Sequence, residues 1–479
     1  MSQIRRIAKN ALVLFIAQAI SIVLSLVMVI FLARFLLSEG YGQYSLVFSF
    51  VAIFAVFIDF GFNTLLTREI ARNKKDLNTY LNNAFSIRLI LSIIILFLIV
   101  LTINLMGYPE DVKTAVYIIG ISTIISAFSS LFNSVFRAFE KMEYESLTTI
   151  AEKIIVSSAT IFLLFQGYGL IAVCYAFLFG SIINLLIHLY LYKKNFAETI
   201  FRFEKNNKIW LFLIKNGLPF ALAGIFTILY LKIDTIMLSV MKGDSVVGWY
   251  NVAQNITSSF SFIAGVFLAS IFPVISGYFV TSKESLKKVY ALSFKYLFII
   301  ILPISAGIFL LSERIILLFF TSEYLPSINA LRILTWLQIF AFLGWLLGTF
   351  LNSMNKQKLF TYAVGIGALV NIILNLILIP SLSLYGAAIA TLITQIAVFS
   401  ALFYFNYKEL GSTNFGFAIK AIIATIFMSL AVLILDKFSL AIIIFVGAGV
   451  YFATFYLMRG FSKEDKEILS SIIKPKNES

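Results

Sequence analysis

Residues 34–45 read RFLLSEGYGQYS, a short run of charge, glycine and tyrosine between two long apolar stretches. Residues 241–251, MKGDSVVGWYN, repeat its pattern. With Gly42 placed on Gly248, YGQYS falls on VGWYN and Tyr44 on Tyr250, at an offset of 206 residues. A second pair lies further along, where QGYGLIAVCYA at 166–176 resembles SLYGAAIATLI at 383–393, with Gly169 on Gly386 at an offset of 217. Two similar offsets in the same order point to a duplicated unit of about 210 residues, with loop insertions making up the difference.

Composition says where such a unit lives. Of 479 residues 61% are hydrophobic and 13% charged, with a mean hydropathy of +0.98, whereas soluble domains carry about 25% charged residues. A spanning helix needs roughly 20 apolar residues. The apolar runs predict an all-α integral membrane protein of about fourteen transmembrane helices near 11–33, 45–64, 83–106, 113–136, 147–166, 169–192, 216–240, 247–277, 289–311, 328–351, 359–379, 383–405, 415–435 and 439–458. Their continuous Ile, Leu, Phe and Val separate them from the roughly ten-residue alternating strands of an outer-membrane barrel. The first run follows Arg5, Arg6 and Lys9 but exceeds a signal-peptide h-region, and no small-residue cleavage site follows. It reads as a retained helix.

Loop charge sets the orientation. With the spans above, 26 of the 37 Lys and Arg fall in loops on one side and five, Arg34, Lys113, Lys242, Arg314 and Lys437, on the other. Both termini are therefore expected in the cytoplasm, in a multi-pass protein of the cell membrane. The formal charge of +14 is explained by that asymmetry and by anionic lipid headgroups, and nucleic acid has no place in the account. The single cysteine, Cys174, lies in an apolar run and offers neither a disulfide nor a metal cluster. The single histidine, His188, sits near the inner end of the sixth span. No Walker A loop, dinucleotide fingerprint, zinc motif or nucleophile elbow is present. No cofactor, catalytic residue or metal is expected.

Each copy of the repeat holds six helices, and an even number returns the chain to its starting side. The copies are then parallel lobes related by an axis along the membrane normal. The expected divisions are an N-terminal six-helix lobe at 1–195, a cytoplasmic linker at 196–215, a C-terminal six-helix lobe at 216–408, two extra transmembrane helices at 409–460 and a cytoplasmic tail at 461–479. Two such lobes facing a cavity are the physical basis of alternating access by rigid-body rocking.

The stretch LARFLLSEGYGQYSLVFSFVAIFAVFIDFGFNTLLTREIARNKKD at 32–76 resembles the N-terminal region of the polysaccharide biosynthesis family of membrane proteins. These are the Wzx-type O-antigen and oligosaccharide flippases of the multidrug/oligosaccharidyl-lipid/polysaccharide exporter superfamily. FRAFEKMEYESLTTIAEKI at 136–154, LPFALAGIFTILYLKIDTIMLSVMKGDSVVGWYNVAQNI at 218–256 and IFPVIS at 271–276 fit the same pattern. The resemblance implies a flippase moving a polyprenyl-pyrophosphate-linked sugar or oligosaccharide to the outer leaflet for surface polysaccharide or glycan synthesis, beside the glycosyltransferases or polymerase of its pathway. It also implies that spans 13 and 14 line a groove for the lipid tail; plain lipid-facing helices are the alternative.

An ionisable residue near the bilayer centre costs about 2.5–3.5 kcal/mol on insertion scales, which makes it a functional candidate. Pyrophosphate needs cations, so Arg88, Lys153, Lys232 and Arg332 are the expected cavity residues. Lys295 and Lys420 are shallow enough to snorkel to the interface. Asp59, Glu152 and Asp234 are candidate coupling or ion-pair acids, with Asp59 placed to pair with Arg88 and Glu152 beside Lys153 near the inner end of span 5. Lys232 and Asp234 lie about 200° apart around one helix and share no face. The main alternative is a cation-coupled multidrug exporter of the same superfamily. A polysaccharide synthase would need a cytoplasmic domain that no loop is long enough to provide.

Overall fold

The computed structural model describes residues 3–196, 202–411, 415–461 and 465. It contains α1 (Gln3–Asp59), α2 (Phe62–Arg72), α3 (Leu77–Leu105), α4 (Glu110–Ala138), α5 (Met142–Phe165), α6 (Leu170–Asn195), α7 (Asn207–Lys242), α8 (Asp244–Ser258), α9 (Ser261–Thr281), α10 (Lys283–Phe319), α11 (Ser327–Ser353), α12 (Gln357–Leu410), α13 (Gly416–Ile434) and α14 (Leu440–Leu457). The described residues form no strand.

Twelve helical runs are long and apolar enough to cross a membrane. Two of them are double. α1 has 57 residues and α12 has 54, and each holds one non-helical residue, Leu37 (φ 59°) and Ser383 (φ 53°). A straight helix of that length would reach about 80–85 Å, far beyond the roughly 30 Å hydrocarbon core. At Ser383 the chain turns back so tightly that a Cβ on Gly386 would lie 2.3 Å from Leu378 O. Counting both reversals, twelve runs make fourteen passes, the number the apolar runs predicted. Pass 2 is the second half of α1 continued by α2, and pass 8 is α8 continued by α9.

The helices extend beyond the apolar runs because polar residues continue them at headgroup depth. α5 begins at Met142 rather than 147, its first turn carrying Glu143 and Glu145. Glu152 and Lys153 therefore stand near mid-helix, not near its inner end as the shorter span suggested.

α1–α6 pack among themselves, as do α7–α12, and the two groups meet where α1, α2 and α3 touch α7, α8 and α9. α13 packs on α10 and α14 on both. Equivalent turns recur in the two groups. Glu140 (φ 58°) follows α4 and Asn355 (φ 59°) follows α11, 215 residues apart. Lys141 N donates to Phe136 O at 2.8 Å in the first turn, and Lys356 N donates to Leu351 O at 2.8 Å in the second. The pairing of Gly169 with Gly386 carries no such likeness. Gly169 is the open N-cap of α6 after the Gln166–Tyr168 turn, whereas Gly386 is pressed against the preceding helix beside a one-residue reversal.

Gly42 and Gly248, the glycines that defined the repeat, lie against each other's hairpins. A Cβ on Gly42 would fall 1.7 Å from Asp244 O, and one on Gly248 would fall 2.1 Å from Ser38 O. The same rim is bonded across the groups. Arg34 donates from Nε to Phe319 O and from Nη2 to Leu318 O, both at 2.7 Å. Ser38 donates from N and Oγ to Glu323 Oε1 at 3.1 and 2.5 Å, and Tyr324 donates to Ala33 O at 2.9 Å. Arg34 is thus tied to backbone carbonyls at the end of α10. Nineteen residues from Gly42, about 28 Å along a helix, a second seam closes the opposite face. Gly61 (φ +75°) abuts Gly217, a Cβ on Gly61 falling 2.9 Å from Gly217 O and one on Gly217 falling 2.8 Å from Phe60 O.

Gly248→Leu should overpack the first seam by about 1–3 kcal/mol and open the Gly42 face. A cysteine at Asn255, with Cys174→Ala, is expected to react with a membrane-impermeant maleimide from that face about tenfold faster in the Leu variant, the factor produced by ~1.4 kcal/mol. Equal labelling would mean the seam does not close this face.

Candidate functional site

Intramembrane charges fall into two kinds, those consumed by packing and those left free. Arg88 belongs to the first. It is completely buried in the first group of helices, with Nη2 donating to Asp59 Oδ1 at 2.6 Å and to Asn63 Oδ1 at 3.2 Å. Its Nη1 donates to Ser130 Oγ at 3.0 Å and to Ala127 O. Four helical segments converge on one guanidinium with no surface left for cargo, so its expected place in the cavity is corrected. Asp59 forms the ion pair from the helix end just before the Phe60–Gly61 break.

Arg332 is also engaged. It sits less than two turns into α11, where Nε donates to Ser312 Oγ of α10 at 3.0 Å and Nη1 to Asn329 Oδ1 at 3.2 Å. Lys295, expected to snorkel, is instead buried in an ion pair with Asp465, which also accepts from Tyr296 OH at 2.7 Å. Lys420 caps the turn after α14 by donating to Arg459 O at 3.0 Å.

Lys153 and Lys232 differ. Both are half-buried, and neither makes a hydrogen bond or ion pair among the described residues. Lys153 is 12 residues from the end of α5 and Lys232 is 10 from the end of α7, so their backbone positions stand about 18 and 15 Å from the helix ends at the Gly42 face, at 1.5 Å per residue. Glu152 is half-buried beside Lys153 and likewise makes no hydrogen bond or ion pair among the described residues.

Asp234 points away from Lys232, as its position around the helix required. It is fully buried between α7, α8 and α12, where Oδ2 accepts from Tyr250 OH at 2.5 Å and from Thr391 Oγ1 at 3.1 Å. Among the described residues its Oδ1 is buried without a hydrogen-bond partner, as are Asn371 Nδ2 and Asn375 Oδ1 on the first half of α12. Sequence reasoning missed this cluster because Tyr250 had been read only as a repeat marker. The spacing of Asp234, Tyr250 and Thr391 gives no local signal that three helices meet.

Two cavities accompany these groups. Between α1 and α8 lies one of about 160 Å³ lined by Ile22, Ser25, Leu26, Val29, Asn255, Ser258 and Ser259. It is where the two groups of helices face each other, seven residues beyond Gly248 and so about 10 Å below the first seam. An apolar cleft of about 400 Å³ lies between α10, α11 and α13, lined by Leu302, Ala306, Trp336, Ile422, Thr425, Ile426, Ser429 and Leu430. Neither Asn255 nor the serines beside it, in NITSS, carries a local sequence signal that marks a cavity.

Comparison with known proteins fits this architecture. The chain is 25% identical over 387 residues to the protein named probable low-salt glycan biosynthesis flippase Agl15 of Haloferax volcanii, covering 80% of each chain. It is 25% identical over 413 residues to the lipid II flippase MurJ of Bacillus subtilis, covering 76% of this chain and 74% of that one. Among solved structures it superposes on lipid II flippase MurJ in an inward closed conformation with a TM-score of 0.78 at 19% identity, over 93% of this chain and 98% of that one. The MatE family model matches residues 219–377. The polysaccharide biosynthesis protein model matches residues 7–279, more than half of the sequence, and the chain belongs to that family.

Proposed function

We propose that the chain is a flippase that carries a polyprenyl-pyrophosphate-linked sugar or oligosaccharide from the cytoplasmic to the outer leaflet of the cell membrane by alternating access. It would work as a transporter, with no covalent chemistry of its own. Its termini would lie in the cytoplasm and the Gly42 face outside, as the loop charges require. The apolar cleft between α10, α11 and α13 carries this reading. A water-soluble drug needs no groove built by a helix outside the repeat, whereas a polyprenyl tail must remain in hydrocarbon while its headgroup crosses. The names of the relatives support the same reading. The MatE match favours a multidrug exporter as the second reading, and the cleft favours the first.

In this reading residues 1–195 and 216–408 form the two rocking lobes, 196–215 joins them, 409–460 supplies the tail groove and 461–479 is the cytoplasmic tail. Lys153 and Lys232 meet the pyrophosphate, because a free ammonium can exchange water for phosphate oxygens without first breaking a protein bond. Arg332 can join them through Nη2 while Nε stays on Ser312. Arg88 holds the first lobe together through Asp59. Asp234, with one oxygen unpartnered, is the proposed coupling acid. Lipids and the enzymes that build and extend the cargo are its partners.

Lys153→Ala and Lys232→Ala are each expected to slow flipping of a reconstituted polyprenyl-pyrophosphate-linked sugar about tenfold or more, the scale of a lost charge-assisted bond of about 1.5–3 kcal/mol. Wild-type rates in both variants would remove the cation assignment. Asp59→Asn should act on the fold instead. It leaves a buried guanidinium uncompensated, at the lower end of about 3–5 kcal/mol because the Asp59 side chain is 39% exposed. Thermal unfolding in detergent should record that loss while the rate per folded molecule holds. Asp234→Asn should abolish any dependence of rate on an imposed proton or cation gradient, and a retained dependence would assign coupling elsewhere.

A further inference from the structure

The cavity between α1 and α8 has a chemistry distinct from the rest of the proposed pathway, because none of its seven lining residues is charged. The α1 wall is aliphatic apart from one hydroxyl, formed by Ile22, Ser25, Leu26 and Val29, and the wall at the end of α8 is polar, formed by Asn255, Ser258 and Ser259. The polar wall is pre-set. Asn255 Nδ2 donates to Tyr41 OH at 2.9 Å and to Asn251 O at 2.8 Å, which leaves Oδ1 as an acceptor with no partner among the described residues. Ser258 and Ser259 donate to Asn255 O at 3.2 and 2.6 Å, keeping their oxygen lone pairs available. Ser25 makes no hydrogen bond among the described residues.

We propose that this cavity reads the sugar, and that it takes a single uncharged pyranose ring. The inference rests on the flippase reading and names the cargo class of its central site. A pyranose matches the two walls, since its hydroxyls present donors and acceptors around a ring whose C–H face is apolar. Ser25, Asn255, Ser258 and Ser259 engage the hydroxyls while Ile22, Leu26 and Val29 cover the carbon face. At about 160 Å³ the space is several times the ~30 Å³ share of one water in the liquid, enough for one ring. A sugar bearing a carboxylate is excluded by desolvation. Its charge would leave water for a site with no cation, and an unpaired buried charge is far more costly than a hydrogen-bonded neutral group.

The test uses the full-length protein in vesicles and three probes: polyprenyl pyrophosphate carrying no sugar, one neutral N-acetylhexosamine, or one hexuronic acid. The neutral sugar lipid should cross about tenfold faster than the acidic one. Ser25→Ala with Asn255→Leu should slow the neutral sugar lipid about tenfold, the scale of two lost hydrogen bonds, without slowing the sugar-free lipid. Asn255→Arg should reverse the preference between neutral and acidic sugars. Ser25→Ala alone, expected to fold normally, carries the same comparison if the double variant fails to insert. Equal rates for neutral and acidic lipids together with no effect of Ser25→Ala would overturn the sugar site while leaving the flippase reading intact. No transport of any probe by the wild type would overturn both.

Discussion

The contact between Gly42 and Gly248 organises the molecule. Two helices approach closely enough for backbone to meet backbone, and neither glycine has room for a single added carbon. Close approach through small residues is how helices associate in lipid, where no hydrophobic force drives them together. Here it joins the equivalent hairpins of two repeats, so one contact is both the mark of duplication and the closure of one face. Around it sit three fully buried tyrosines, Tyr41, Tyr250 and Tyr324. Each phenol bonds outside its own helical turn, to Asn255, Asp234 and Ala33 respectively. The second seam at Gly61 and Gly217 closes the other face with the same device. At both seams the glycines let backbone meet backbone, with large side chains packed around the contact, Tyr41 and Tyr324 at the first and Phe62 and Phe220 at the second.

The charges follow from that division of labour. Arg88 sits within one helix group and Lys295 beside the helix that carries the final pair, and each is held in a buried ion pair inside its own group. Arg34 and Glu323 bridge the groups at the closed Gly42 face. Lys153 and Lys232 are bonded to nothing among the described residues. Ions that build a lobe, ions that bridge the lobes and ions without a bond among the described residues are thus different residues. The neutral cavity between α1 and α8 adds a fourth environment, suited to hydroxyls rather than charge.

Much of the fold was legible because the membrane makes it so. Long continuous apolar runs admit only helices, and fourteen runs gave fourteen passes. Span ends were less legible, since α2 with its sequence FNTLLTREIAR and the first turn of α5 are too polar to count as apolar yet continue the helices. Lys153 therefore stands near the middle of α5 although it lies near the inner end of the apolar run. Gly42 and Gly248 were visible as a repeat, but their mutual contact depends on how the groups pack, which no local pattern encodes. The same holds for Asp234 with Tyr250 and Thr391. Asp59 and Arg88 could be matched from their depths alone, while the further bonds of Arg88 to Asn63, Ala127 and Ser130 required the packing of α2 and α4.

The central claim is that the two helix groups must part at the Gly42 face for cargo to cross. It is tested most directly by joining them there. Cysteines at Ser38 and Glu323, whose side chains meet across the groups at 2.5 Å, are bridged by a short, reducible bifunctional thiol reagent in a Cys174→Ala background, and transfer of a polyprenyl-pyrophosphate-linked sugar between leaflets is followed before and after reduction. The account predicts that bridged protein is inactive and that reduction restores the rate of the unbridged variant. Bridged protein that still flips at the unbridged rate would contradict it.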